Sequence, residues 1–284
     1  MIMSKQLSAF EQLEFCTTRI EGQDANSMTW SGTGFFFNLD FGESENKIMP
    51  LVITNKHVVE NATQLSIQFS RADDNGNPLY TEPFKIIDGD MSSIVYHPDP
   101  EVDLCGIPSL PLLNIVQTLK GKVFYRTFDN TQIPSEQQLE ELDAVEEIMM
   151  VGYPNGLWDA KHNMPIFRKG ITATPVWLNH NGKKEFMIDA ACFPGSSGSP
   201  VFICNPGQYH DKHGNTYFGG TRLYLLGILY AGPQLTITGD IKIVTIPDSQ
   251  MVPQSVSHIP NNLGYVIRSE RILELVNVIK KKGV

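Results

Sequence analysis

Apolar residues in this chain gather in short β-branched and aromatic runs, each closed off by turn residues. Thr33–Leu39 (TGFFFNL) and Pro50–Asn55 (PLVITN) read as strands. Leu65, Ile67 and Phe69 alternate with polar neighbours, the period of a strand with one buried face. The turn Asp73–Pro78 (DDNGNP) follows. Further strands are expected at Phe84–Ile87, Ser93–His97, Lys122–Phe128, Glu147–Tyr153, Ile166–Trp177 and Glu185–Asp189. After these come Pro200–Cys204, Arg222–Tyr230, Ile241–Ile246 and Gly264–Ile267. Strands this short and this closely spaced predict an all-β sandwich or barrel. No strand–helix–strand alternation is visible, which argues against a parallel sheet.

The period changes clearly only near the C-terminus. Ile272, Leu275, Val276 and Ile279 form one apolar helical stripe, with Ser269 as the expected N-cap. Lys280–Lys282 fall in the last turn, where positive charge suits the helix dipole, and Gly283 follows. A weaker helical pattern lies around Leu112–Leu119. Asp129–Ala144 (DNTQIPSEQQLEELDA) is polar, acidic and flanked by strands. It divides the chain into an expected domain at 1–134 and a second at 135–284.

Charge and cysteine usage narrow the function classes. With 22 Lys+Arg against 31 Asp+Glu, the net charge of −9 excludes binding to nucleic acid by phosphate neutralisation. It also gives no affinity for an anionic membrane. Four cysteines in 284 residues, with no CxxC pair, support neither a disulfide scaffold nor a zinc ribbon. Glu11 and Glu14 interrupt the N-terminal stretch, and no apolar run approaches the ~18 residues of a membrane span. An intracellular, cytoplasmic protein with reduced thiols is expected.

The segment Asp189–Val201 (DAACFPGSSGSPV) carries the chemistry. Ser197 stands between Ser196 and Gly198, with Gly195 two residues before. A serine hydroxyl needs a base to become a nucleophile, and attack on an amide needs donors for the oxyanion. A glycine-rich turn projects the hydroxyl and can aim the N–H groups of Gly195 and Ser197 at one point. The competing reading is a Gly/Ser hairpin loop without chemistry. His57 follows an apolar strand and is the candidate base, while His97 and His180 lie in loop-like settings. Asp103, Asp99 and Asp90 are all available to orient it.

These segments together resemble the chymotrypsin-fold serine endopeptidases, with the HtrA/Deg-type branch nearest in motif. The resemblance rests on SGTGFFF (Ser31–Phe37), VITNKHVV (Val52–Val59), DL (Asp103–Leu104) and GYP (Gly152–Pro154). DAACFPGSSGSP (Asp189–Pro200) and LLGILYAG (Leu225–Gly232) complete it, in the family's His, Asp, Ser order. It implies two antiparallel β-barrels followed by the C-terminal helix, and it selects Asp103. Ser197 would be the nucleophile, His57 the base and Asp103 the group that orients it, with no metal or organic cofactor. It implies an oxyanion hole at Gly195 and Ser197, and substrate binding along Ala191, Cys192, Tyr230, Ala231 and Gly232. Ser196 replaces the aspartate with which secreted relatives capture a new N-terminus, and Val58 replaces a cysteine. Both departures fit an intracellular protein.

Ala191 and Gly232 imply an uncharged, open primary pocket, with Leu263 near its base and Asp189 structural. The residue before the cut is then expected to be small to medium and apolar. Asp240 or Asp248 in the long segment Pro233–Asn262 would change that if it folded back. The same segment is expected to restrain the activity. Cys204, His210 and His213 are read as members of a solvated loop, not metal ligands. Cys192 is read as pocket wall, not nucleophile. No PDZ domain is expected after residue 268. The expected partners are a protein or peptide substrate, and an activator or operon partner protein of unknown identity. A non-catalytic protease-fold scaffold that binds peptides is the alternative function.

Overall fold

The computed structural model describes residues 7–42, 47–232, 234–240, 254–260 and 262–282. The first sheet uses β1 (Thr17–Gln23), β2 (Thr29–Asp40), β3 (Ile48–Thr54), β4 (Gln64–Ala72), β5 (Pro78–Asp88), β6 (Val95–Tyr96) and β7 (Cys105–Pro108). These pair in the order β5-β4-β1-β2-β3-β7-β6. Two short strands join off this path: β8 (Val123–Phe124) on β4, and β9 (Phe128–Asp129) on β2. The β2–β9 pair is parallel, while every other ladder is antiparallel. The Lys122–Phe128 strand of the sequence reading is thus two short ones.

The second sheet is a closed barrel. It uses β10 (Glu147–Gly152), β11 (Ile166–Thr172), β12 (Glu185–Asp189), β13 (Pro200–His210), β14 (Thr216–Ala231) and β17 (Leu263–Arg268). Between β14 and β17 the chain makes a separate hairpin of β15 (Gln234–Asp240) and β16 (Gln254–Pro260). The expected strand Ile241–Ile246 lies outside the described residues. The chain is therefore all-β with a C-terminal helix, in the two-unit architecture of a chymotrypsin-like fold.

The continuous apolar runs have a structural cause: their strands are buried on both faces. On β2, Phe35, Phe37 and Leu39 point into a core shared by the two sheets. Phe36, between them, points into the interior of the first sheet with Ile20, Val52 and Phe69. On β13, Phe202 enters the shared core, while Val201 and Ile203 enter the barrel interior with Met150 and Ile188. The register shift at Val201/Phe202 in the β13–β14 ladder lets Leu225 and Ile228 share one face. Each fully buried Phe contributes about 1.5–3 kcal/mol, so this shared core accounts for much of the fold.

The remaining helices are short. They are α1 (Ala9–Leu13), α2 (Lys56–Val59), α3 (Leu110–Leu119) and α4 (Glu136–Glu140). α4 begins with a capping box on Ser135, inside the segment read as a connection. The C-terminal stripe forms α5 (Leu275–Lys282), preceded by a 3₁₀ turn over Ser269–Glu274. Ser269 is the first residue of that turn and Arg268 is its N-cap, one residue earlier than expected. Ile272, Leu275 and Ile279 close the shared core, and α5 packs on β6 of the first sheet.

Candidate active site

Residue 57 sits on α2, directly after β3. Gly32 makes this possible: a Cβ there would lie 2.6 Å from Val58 Cγ1. The Trp30 indole N–H donates to Val58 O at 2.8 Å and fixes the helix on β2. Asn55 occupies the N-cap but makes no side-chain cap bond. Its Nδ2 donates instead to Asp103 O at 2.7 Å, which fastens the loop before β7 to the start of α2.

Asp103 then holds His57 at two points. Its Oδ2 lies 2.5 Å from His57 Nδ1, and its Oδ1 accepts the His57 backbone N–H at 3.1 Å. The first contact fixes the ring and leaves Nε2 for another partner. The His57 side chain is 44% exposed and that of Asp103 23%, so the pair is accessible from solvent. Of the carboxylates weighed with it, Asp99 pairs with Arg271 at 2.9 Å, and Asp90 caps a 3₁₀ turn at Ser92. Neither faces His57.

The turn Phe193–Ser199 carries the other half. Ser196 N–H donates to Phe193 O at 3.0 Å, and Ser199 N–H to Ser196 O at 3.0 Å. Gly195 (φ +85°) and Gly198 (φ +87°) are both left-handed, which favours glycine. A Cβ on Gly195 would lie 2.6 Å from Tyr153 O, and one on Gly198 would strike Thr33 O and Thr54 Oγ1. Thr33 on β2 grips the turn from the first sheet: its N–H donates to Ser197 O at 2.9 Å. Thr54 Oγ1 donates to Thr33 O at 2.7 Å, three residues before His57. Ser197 is half-buried. Among the described residues, the N–H groups of Gly195 and Ser197 donate no hydrogen bond.

The residues expected to bind substrate divide into two groups. Cys192, Gly232 and Gly264 come together: a Cβ on Gly264 would lie 2.6 Å from Cys192 Sγ, and one on Gly232 3.8 Å from Cys192 Cβ. Burial pushes the Cys192 thiol up to about 11, so it is not a thiolate near neutrality. Ala191 is half-buried, and Ala231 is exposed. Tyr230 turns to the other side, where its hydroxyl donates to Glu185 Oε2 at 2.9 Å. Burial, then Glu185, Tyr265 and Asp103, hold its phenol above the usual range. A cavity of about 490 Å³ lined by Arg19, Trp30, Lys85, Asn155 and Gly156 adjoins Gly195.

A family described as the trypsin-like peptidase domain matches residues 32–208, more than half of the chain. The chain belongs to that family. Among curated proteins, nothing matches this trypsin-like peptidase. Solved structures similar to it include Deg5, at 16% identity over 78% of this chain and 82% of that one, with a TM-score of 0.44. An inactive form of Rv3671c from M. tuberculosis is 14% identical over 95% and 88%, with a TM-score of 0.42. A catalytically inactive tobacco etch virus protease complexed with substrate is 12% identical over 97% and 87%, with a TM-score of 0.48.

Nothing in the sequence singles out Thr33 or Asn55, although both stand inside the motifs SGTGFFF and VITNKHVV. Asp189 is exposed on β12 and pairs in register with Leu263. Among the described residues no group of three His, Cys, Asp or Glu could hold a metal ion. His210 Nδ1 lies 2.9 Å from Thr216 Oγ1 on the β13–β14 hairpin. No described helix is long and apolar enough to cross a membrane.

Proposed function

We propose that this trypsin-like peptidase is a cytoplasmic serine endopeptidase that cleaves protein or peptide chains through Ser197, His57 and Asp103. The observation that carries the reading is the double grip of Asp103 on His57, set beside a turn whose Gly195 and Ser197 N–H groups are unengaged among the described residues. Ser197 Oγ attacks the peptide carbonyl as His57 Nε2 takes its proton. The oxyanion accepts from the two N–H groups. His57 returns the proton to the leaving amine, which departs and leaves an acyl ester on Ser197. Water activated by His57 then hydrolyses the ester. Asp103 keeps the imidazole in the right tautomer and stabilises its charged form. The residues supply acid, base and nucleophile, so the reaction as written needs no metal or organic cofactor, no nucleic acid and no membrane.

A fluorophosphonate probe tests this. Labelling of folded protein that disappears in Ser197→Ala supports the enzyme. Absence of labelling in folded wild type favours the peptide-binding scaffold.

A further inference from the structure

Arg168 brings a positive charge to the segment that leads from Cys192 to the Gly195–Gly198 turn. On β11 it is the register partner of Met150 on β10. Paired residues of an antiparallel ladder project to the same face, and Met150 belongs to the interior of the closed barrel. Arg168 therefore enters that interior, while its neighbours Phe167 and Lys169 turn outward, the latter to Glu147 at 2.8 Å. Its guanidinium lies 4.9 Å from the centre of the Phe193 ring, on the segment between Cys192 and the nucleophile turn. Cys192 is the residue already placed against Gly232 and Gly264. Cys192 also feels the guanidinium: the positive charge opposes the rise that burial imposes on its thiol.

The cation is unmatched. Arg168 Nε is fully buried without a hydrogen-bond partner, and among the described residues Arg168 forms no ion pair. Asp189 on β12 also reaches Cys192 with its negative charge, but it is exposed and forms no ion pair with Arg168. A half-buried guanidinium that stacks on an aromatic ring, with no carboxylate paired to it among the described residues, offers its fork to an incoming carboxylate. An Arg or Lys side chain in the same space would meet a like charge.

We infer that Arg168 is the specificity-determining counter-charge of the primary pocket, and that the chain cleaves after Asp or Glu. The inference rests on the serine endopeptidase reading, and it replaces the apolar preference expected from Ala191 and Gly232.

Peptidyl phosphonates that differ only in the residue entering the primary pocket provide the test. Rates of Ser197 modification are measured with Glu, Gln, Val and Lys probes. Each rate is divided by that protein's rate with a small fluorophosphonate, which corrects for loss of folded enzyme. The Glu probe should outpace the Gln probe by about 100-fold or more in wild type. The ratio should fall to near unity in Arg168→Gln and keep an intermediate value in Arg168→Lys. A wild-type preference for Val or Lys overturns the inference, as does a Glu/Gln ratio that Arg168→Gln leaves unchanged. If Arg168→Gln does not fold, the wild-type and Arg168→Lys ratios still decide. Folded wild type that the small fluorophosphonate does not modify shows instead that the endopeptidase reading has failed.

Discussion

Thr33 reaches across from the first sheet and donates its hydroxyl to Gly195 O at 2.9 Å. The same hydroxyl accepts the Tyr153 N–H at 3.1 Å, so one side chain ties Tyr153 to the turn at Gly195. An isosteric Thr33→Val removes both bonds and leaves a buried N–H and a half-buried carbonyl without this partner. The expected cost is about 1–3 kcal/mol per group. Serine labelling should slow by about tenfold or more, and Thr33→Ser should restore most of it. Equal labelling rates in wild type and Thr33→Val would show that the clamp does not orient the turn.

Gly198 is fixed by space as well as by its positive φ, because any Cβ would strike Thr33 O. Gly198→Ala should lower the unfolding free energy by about 2–4 kcal/mol and abolish labelling. Urea unfolding with the same midpoint as wild type would contradict this.

Asp103→Asn keeps the shape of the His57 partner but offers an amide where the carboxylate accepts. The ring then settles in the wrong tautomer. For a triad of this kind the loss in kcat is about 10⁴-fold. It should appear in peptide hydrolysis without a change in thermal midpoint larger than a few degrees. A loss of less than about tenfold would remove Asp103 from the triad.

Cys192 lies five residues before Ser197, and burial holds its thiol at about 11. Cys192→Ser should therefore retain fluorophosphonate labelling. Wild type should react slowly with iodoacetamide at about pH 7.5, where little thiolate is present. Fast alkylation that tracks loss of activity, together with an inert Cys192→Ser, would make the cysteine the nucleophile.

His97 is 4% exposed, between β6 and α5, with Nε2 3.3 Å from Glu274 Oε2. Arg271, Lys56 and Asp99 are its other charged neighbours. Burial, then Arg271, hold its pKa below the ordinary 6.5, against the pull of the Asp99 backbone and of Glu274. The folded ring thus binds a proton less tightly than the unfolded one. Below about pH 6.5 the unfolded state carries more protons, so stability is fully present above that value and declines as pH falls through it. The urea midpoint should drop between about pH 7.5 and about pH 5.5, and drop less in His97→Gln. Parallel pH profiles for the two proteins would discount His97.

Much of the fold was legible because it rests on short-range pattern. The TGFFF run marked a strand buried on both faces, and Ile272, Leu275 and Ile279 marked the terminal helix. The tight turn around Ser197 was legible because Gly195 and Gly198 bracket it closely, both with positive φ. The contacts that unite the site left no such trace. Thr33 and Gly195 are 162 residues apart, and a hydrogen bond at that separation has no period. His57 was read as a strand end because α2 is only four residues long, too short to show an apolar stripe. Arg168 carries no signal in the sequence because inward orientation depends on register, which β-branched content does not reveal.

The core that holds Phe35, Phe202 and Leu275 belongs to neither sheet alone. The polypeptide is in that sense a ready-made split enzyme. One nick within 141–146, between α4 and β10, would leave two fragments gripping each other through this core and through α5 on β6. They would elute from a sizing column as one species and separate only under denaturant. Made separately, each fragment would expose half of the shared core and aggregate. Mixed from the unfolded state, they should regain fluorophosphonate labelling that neither shows alone.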